Sequence, residues 1–231
     1  MNNVFIGLPV DDKFEVGFVE SMQSAIALDP DGSEGMASAP HIMPYRVTNQ
    51  SRNLLVHKML NGPWTHILML DSDMVFPAGT LGRLLSHDVD IVGGFYLRKV
   101  RGNLPCAARF GDDGRPMSVW PMPTLEEVDA IGTGAILIKR KVFEDIEPPW
   151  FEYRPVEPSW DDSKVEQISE DYVFCDKARD AGYKIYVDGS LICGHVGPYI
   201  VWPHQVTGNG SGVARIEPFE PQKNEDLIYG Y

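Results

Sequence analysis

The chain has 231 residues, 43% of them hydrophobic and 23% charged, with a formal net charge of −13. This length and composition favour one α/β domain with a full hydrophobic core, and they exclude a fibrous or wholly disordered protein. The negative charge argues against general nucleic-acid binding, because a phosphate backbone would meet a repulsive field.

The sequence predicts a soluble protein without a membrane partner. Its apolar runs stay below the roughly 18 residues of a membrane span, and no basic region precedes the first of them. The number of cysteines is odd, and none has CxxC spacing: they are Cys106, Cys175 and Cys193. They fit core residues in a reducing compartment better than a disulfide framework, so we expect a cytoplasmic location.

The first half of the chain alternates between strand and helix patterns. We predict strands at 4–8, 41–47, 67–70 and 90–96, and helices at 14–28, 48–60 and 77–85, from apolar periodicity and from Pro and Gly punctuation. This alternation predicts a Rossmann-like, mostly parallel central sheet with helices on both faces.

The second half departs from this alternation at one place. Residues 106–120 predict a hairpin, CAARF and PMSVW joined by a DDGR turn, as a small antiparallel insertion. Residues 129–138 resume the central strand pattern, followed by helices at 140–146 and 169–181 and a strand at 183–188. The polar stretch 154–168 has the composition of a lid, and 209–231 that of a flexible or acceptor-side tail after a domain at 1–208.

The stretch HILMLDSDMVFP, 66–77, carries the main chemical signal. An all-apolar strand ends in Asp71 and Asp73, and ligands of open α/β sheets bind at the carboxyl ends of strands. If the strand stays extended, both carboxylates lie on one side and suit Mg²⁺ or Mn²⁺. The alternative is an Asx turn that merely ends the strand.

Two later segments add candidate groups. In SEDYVFCDKARDAG, Glu170 and Asp171 lie in the first turn of a helix, whose dipole stabilises carboxylates with or without a function and would keep Asp171 ionised as a base. In CGHVG, His195 follows a strand-like stretch. A lone histidine is more often structural than a ligand, but its position after the acidic helix distinguishes His195 from the other five.

Taken in order, these segments resemble the GT-A fold glycosyltransferases, in the broad class that includes the family 2 enzymes. The resemblance runs from about residue 4 to residue 197 through seven pieces: VFIGLPV, SRNLLV, HILMLDSDMVFP, VDIVGGFYLRK, IGTGAILIKRKVF, SEDYVFCDKARDAGYKIYVD and GHVG. Each piece is weak by itself, whereas seven in the same order are specific.

The resemblance implies a metal-dependent transfer of sugar from a nucleotide-sugar donor to a hydroxyl. It implies that Asp73 and His195, with Asp71, hold Mn²⁺ or Mg²⁺, and that Asp171, paired with Glu170, acts as a base near the acceptor. It implies donor contacts from Pro9, Val10, Arg52, Asp71 beside the ribose, Ser72, Gly132, Thr133 and Gly134. A UDP-sugar is the default donor because it is the commonest in this class.

Several alternatives stay open at this level. The Glu-Asp pair resembles inverting enzymes, although a histidine after the last strand is also frequent in retaining ones. The acceptor, whether a protein, a glycan, a nucleobase or a small molecule, is not defined.

A sugar nucleotidyltransferase would need a glycine-rich basic loop where LPVDDK stands, and GTGAIL lacks the third glycine of a dinucleotide-binding oxidoreductase. A non-catalytic nucleotide-sugar or glycan-binding protein with this fold is the rival from another class.

Overall fold

The computed structural model describes residues 1–10, 13–28, 35–44, 47–99, 103–112, 114–155, 167–197, 199–204 and 213–218. The helices are α1 (Val16–Ala25), α2 (Thr48–Leu60), α3 (Thr80–Ser86), α4 (Arg140–Asp145) and α5 (Glu170–Asp180). The strands are β1 (Asn3–Pro9), β2 (Met36–Ala37), β3 (His41–Met43), β4 (His66–Leu70), β5 (Met74–Val75), β6 (Ile91–Phe95), β7 (Ala107–Phe110), β8 (Pro116–Ser118), β9 (Leu125–Val128), β10 (Ala130–Ile131), β11 (Ala135–Lys139), β12 (Arg154–Pro155), β13 (Gln167–Ile168), β14 (Ile185–Ile192), β15 (Gly194–Val196), β16 (Tyr199–His204) and β17 (Val213–Pro218).

An eight-stranded sheet forms the centre of the protein, in the order β2-β1-β4-β11-β6-β14-β9, with β3 also paired to β1. Six of its strands run in one direction, and only β11 and β9 run against them. The predicted α/β class and mostly parallel sheet are therefore confirmed. Every residue of β4 and β6 is buried, so both faces of the sheet centre are covered, as the all-apolar runs predicted.

The helices pack in two groups. α2 contacts α4 and lies against β1, β3 and β4, whereas α1 contacts α3, which lies against β6 and β11. The buried positions of α2 include Arg52, Leu55, Val56 and Met59, spaced at three and four residues along one face. This face places the arginine, the only charged member of the set, inside the protein.

Several predicted boundaries are wrong in informative ways. The run 129–138 is not one strand: β10 joins the insertion β7-β8, while β11 enters the central sheet antiparallel to both neighbours. The predicted 41–47 strand ends at Met43, the 77–85 helix begins at Thr80, and β9 was not predicted. The hairpin of the insertion and the full extent of α2 are confirmed.

A second, four-stranded sheet has the order β17-β16-β15-β5. β16 and β17 pair with each other, so the boundary predicted at residue 208 falls between two paired strands and remains a prediction. The predicted lid begins and ends in the pair β12-β13, and its central residues 156–166 lie outside the described part. Among the helices of the described residues, none is long and apolar enough to cross a membrane.

Candidate functional site

The candidate residues meet at one edge of the central sheet. β1, β4, β6 and β14 are parallel and end there, at Pro9, Leu70, Phe95 and Ile192. β11 runs the other way, so its beginning lies at the same edge, and Ala135 pairs with Leu70. Because β11 runs antiparallel to β4, the GTG turn that precedes it, 132–134, lies against the DSD segment. The Asp71 amide donates to the Gly134 carbonyl there at 3.0 Å.

The DSD segment is a turn and does not continue the strand. β4 ends at Leu70, and the Met74 amide donates to the Asp71 carbonyl at 3.2 Å, so 71–74 form a turn before β5. The expectation that Asp71 and Asp73 lie on one side of an extended strand is therefore wrong. Their side chains have different partners, Arg52 for Asp71 and His195 and Lys99 for Asp73.

Arg52 joins Asp71 to Glu170. One guanidinium nitrogen lies 2.9 and 3.0 Å from the two carboxylate oxygens of Asp71, and the other donates to Glu170. Arg52 is 3% exposed and Glu170 6% exposed, so the pair is taken out of water. Burial alone would lower the pKa of Arg52, but Asp71 and Glu170 outweigh it and raise the pKa, which fixes the positive charge.

Glu170 is consequently a structural partner of Arg52. Burial raises the pKa of the Glu170 carboxyl, while Arg52 acts in the opposite direction. Because its carboxylate is engaged inside the protein, Glu170 holds the start of α5 against α2. Of the predicted Glu-Asp pair, only Asp171 therefore remains a candidate for the general base.

Asp73 and His195 face each other because their strands pair. β15 lies antiparallel to β5 with His195 opposite Met74, and the Val196 amide donates to the Asp73 carbonyl at 2.7 Å. His195 Nε2 is 3.4 Å from Asp73 Oδ2. His195 Nδ1 lies 2.8 Å from the Leu97 carbonyl, which only accepts, so Nδ1 carries a proton. Nε2 then offers a lone pair when the ring is neutral and donates to Asp73 when the ring is protonated.

The electrostatics of Asp73 favour its ionised form. Burial would raise the pKa of its carboxyl, but the hydrogen bonds and charges of His195 and Lys99 outweigh it and lower the pKa to about 2. Lys99 Nζ donates to the same oxygen, Oδ2, and to the Val196 carbonyl at 2.9 Å. Asp73 is thus a carboxylate at every physiological pH.

The donor set fits a divalent cation in part. A carboxylate and an Nε2 lone pair directed at it suit Mn²⁺, whose remaining ligands would be phosphate and water oxygens. Within the described residues, however, no group of three or more His, Cys, Asp or Glu side chains is assembled to hold a metal ion. Asp71 is bound by Arg52, so only Asp73 and His195 of the three predicted ligands lie together.

Asp171 is oriented by its own turn of α5. Its Oδ1 accepts hydrogen bonds from the Ser169 hydroxyl and from the Tyr172 amide at 2.8 Å. Ser169 stands at the N-cap position, but its hydroxyl donates to Asp171 and makes no capping bond to the backbone. Asp171 Oδ2 faces the GTG turn, 3.4 Å from where a Cβ on Gly132 would be.

The two glycines of the GTG turn make room for Tyr96. A Cβ on Gly132 would lie 2.2 Å from the Tyr96 hydroxyl, and one on Gly134 would lie 2.9 Å from its ring. Tyr96 accepts a hydrogen bond from the Gly134 amide at 3.1 Å and meets the His195 ring edge-on at 5.5 Å. The Thr133 hydroxyl is buried without a hydrogen-bond partner among the described residues.

A cavity of about 240 Å³ opens at this edge. Among the residues that line it are four predicted donor contacts (Pro9, Val10, Asp71 and Ser72), together with Asp73, Thr48 and Ser51. The first turn of α2 thus provides two hydroxyls that were not predicted from the sequence.

Three features of the site were not predicted from the sequence: the position of Tyr96, the contact of Lys99 with Asp73 and the bridging role of Arg52. Arg52 had a detectable signal, because a charged residue at the apolar spacing of Leu55, Val56 and Met59 must be paired when that face is buried. Tyr96 directly follows β6 and Lys99 lies in the segment after it, which is where ligand-binding residues of α/β proteins concentrate.

The sequence matches no family model and no curated protein. Among solved structures, the fold is similar to that in the "Crystal Structure of A197 from STIV", with a TM-score of 0.59 and 17% identity over 95% of this chain and 96% of that one. At this identity the similarity supports the α/β fold over nearly the whole length of both chains.

Proposed function

We propose that the protein is a glycosyltransferase of the GT-A type that moves a sugar from a nucleotide-sugar donor to a hydroxyl acceptor with the help of Mn²⁺ or Mg²⁺. The observation that carries the proposal is the pairing of Asp73 with His195 Nε2, 3.4 Å apart, beside a cavity lined by Pro9, Val10 and Asp71. A UDP-sugar is the donor to test first.

Asp73 and His195 would hold the cation against the donor diphosphate. Glycosyl transfer builds negative charge on the departing diphosphate, and a bound cation supplies Lewis-acid stabilisation of that charge. The Leu97 carbonyl fixes the ring of His195 so that Nε2 faces the ligand position. In this proposal Asp71, held by Arg52, lines the nucleoside side of the cavity and is not a metal ligand.

Asp171 is proposed as the base of an inverting transfer. The acceptor hydroxyl oxygen would attack the anomeric carbon as the bond from that carbon to the diphosphate oxygen breaks, and the hydroxyl proton would pass to Asp171 Oδ2. The two hydrogen bonds to Oδ1 leave Oδ2 for this role. A positioned base of this kind is worth about 10²–10⁴-fold in rate.

The test measures UDP and GDP binding with and without Mn²⁺, and Mn²⁺-dependent hydrolysis of a panel of nucleotide sugars. We expect Asp73→Asn and His195→Ala to lose metal-dependent nucleotide affinity. His57→Ala, an exposed histidine on α2, should keep it. If no nucleotide shows metal-dependent binding and no donor is hydrolysed, the glycosyltransferase proposal is wrong.

The second candidate is a non-catalytic protein that binds a nucleotide sugar or a glycan. The observation that favours it is the ion pair between Lys99 and Asp73, which places a cation of the protein itself on the proposed metal ligand. Such a protein would bind UDP or GDP equally well with Mn²⁺ and with a chelator, and would hydrolyse none of the donors.

A further inference from the structure

One short segment after β6 surrounds the proposed metal pair. Tyr96 meets the ring of His195, the Leu97 carbonyl accepts from His195 Nδ1, and Lys99 Nζ donates to Asp73 Oδ2. The segment is anchored where it leaves the sheet, because Leu97 forms a bridge with Pro105 and the Arg98 amide donates to the Leu104 carbonyl at 2.8 Å. The backbone of the segment that carries Lys99 is therefore held in place next to Asp73.

Lys99 uses the same atom that a metal ion would use. Asp73 Oδ2 is both the acceptor for Lys99 and the oxygen that lies 3.4 Å from His195 Nε2. A divalent cation held between these two groups would meet an ammonium already on that oxygen. Two cations at one carboxylate oxygen repel each other, so the ammonium has to move before the ion binds fully.

A nucleotide diphosphate offers Lys99 an alternative partner. An ammonium has three N–H donors, and Asp73 and the Val196 carbonyl account for two of them. The Lys99 side chain is 38% exposed and its partner Asp73 lines the cavity, so an anion bound in that cavity would lie near the ammonium. Phosphate oxygens are strong acceptors for lysine and would compensate for the lost ion pair.

We propose that Lys99 is a built-in counter-cation that competes with Mn²⁺ for Asp73 until a nucleotide diphosphate draws it away, so that metal and donor bind cooperatively. The inference rests on the proposed function and adds to it a prediction about affinity. The protein should bind the metal weakly when the metal is alone and more tightly when the diphosphate is also bound. Binding linkage makes the effect reciprocal, since Mn²⁺ must tighten the nucleotide by the factor by which the nucleotide tightens Mn²⁺.

The test is a titration of Mn²⁺ into the full chain, with free Mn²⁺ followed by its electron paramagnetic resonance signal, in the absence and presence of UDP. Lys99→Met keeps most of the apolar stem and removes the charge. Without UDP, we expect Mn²⁺ to bind the variant about two- to fivefold more tightly than the wild type, the range expected for a partly exposed ion pair. With UDP, the two proteins should bind Mn²⁺ alike, so the coupling falls by the same factor.

Two variants separate this effect from a change in net charge. Lys184→Met removes a lysine whose ion pair with Glu127, 2.8 Å long, involves two side chains that are both more than half exposed, and it should behave as wild type. Lys99→Arg retains the cation and should restore weak binding of Mn²⁺ in the absence of UDP.

The proposal is overturned if the wild type and Lys99→Met bind Mn²⁺ with equal affinity. It is also overturned if Lys184→Met gains as much Mn²⁺ affinity as Lys99→Met, or if neither the wild type nor Lys99→Met binds Mn²⁺. These results are distinguishable from failure of the proposed function. If the Lys99 effect is present but no donor sugar is hydrolysed or transferred, the counter-cation stands and the glycosyltransferase assignment fails.

Discussion

Arg52 holds both carboxylate oxygens of Asp71 at 2.9 and 3.0 Å while its other amino group binds Glu170, 118 residues away along the chain. The bridge connects α2, the end of β4 and the start of α5. Since Asp71 lines the cavity and Asp171 follows Glu170, this buried cation sets the position of Asp171 relative to the cavity.

Replacement of Arg52 by methionine should destabilise the protein strongly. It leaves Glu170 buried without its partner, and breaking one side of a buried ion pair costs about 3–5 kcal/mol. The measurement is the free energy of unfolding in urea at neutral pH. Arg109→Met is the control, because the Arg109–Glu126 pair is half-exposed and should be worth at most about 1 kcal/mol.

Adding Glu170→Gln to Arg52→Met tests the origin of that loss. Removal of the uncompensated charge should recover part of the stability, because the two residues are directly coupled. A loss below about 1 kcal/mol in Arg52→Met, or no recovery in the double variant, contradicts a buried bridge.

Asp171→Asn should slow transfer strongly without weakening donor binding. The amide retains an oxygen for the Ser169 hydroxyl and the Tyr172 amide but cannot accept the acceptor proton, so the transfer rate should fall by about 10²–10⁴-fold. The measurement pairs transfer rates with UDP affinity in the presence of Mn²⁺. Asp180→Asn, at the exposed end of the same helix, is the matched control. Unchanged transfer in Asp171→Asn would remove this residue as the base.

Gly132→Ala should clash with Tyr96. The new Cβ would lie 2.2 Å from the Tyr96 hydroxyl, which is held by the Gly134 amide in a buried position, so we expect a loss of about 1–3 kcal/mol. Tyr96→Phe in the same chain removes that oxygen and should recover much of the loss. Thermal unfolding of the two single variants and the double variant gives the coupling. Additive effects would show that the contact is absent.

The fold was predictable to the extent that local pattern encodes it. The limits of α2 and the burial of β4 follow from apolar spacing and from Asn61, Gly62 and Pro63 after the helix. The direction of β11 does not, because alternation and burial are the same in parallel and antiparallel strands. The division of 129–138 between two sheets was equally hidden, since both halves are buried and apolar.

The site was predictable in its residues more than in its contacts. Asp73 and His195 were expected together, and they lie together because β5 pairs with β15. The separation of Asp71 from that pair depends on a turn at 71–74 and on a cation from α2, neither of which the spacing D-x-D specifies. The ion pair of Lys99 with Asp73 was not predicted, because the two residues are 26 positions apart in the sequence.

The pH dependence of stability should report the environment of Asp73. Burial opposes ionisation of this carboxyl, but His195 and Lys99 outweigh it and lower its pKa from 3.8 to about 2 in the folded protein. A group whose folded pKa is depressed stabilises the protein above its unfolded pKa, and this contribution is lost as the pH falls through the folded value. The window for Asp73 therefore lies between about pH 4 and pH 2.

Asp73→Asn removes this titration, so wild type and variant should differ most above pH 4 and converge towards pH 2. We expect a difference of about 1 kcal/mol at pH 6, because the Asp73 side chain is 33% exposed and solvent screens the pair. The measurement is the urea midpoint of both proteins at pH 6, 4 and 3 in a metal-free buffer. Asp112→Asn, at an exposed position in the insertion, should follow the wild-type curve throughout. A difference between wild type and Asp73→Asn that stays constant from pH 6 to pH 3 would mean that Asp73 is not paired with His195 and Lys99 in the folded protein.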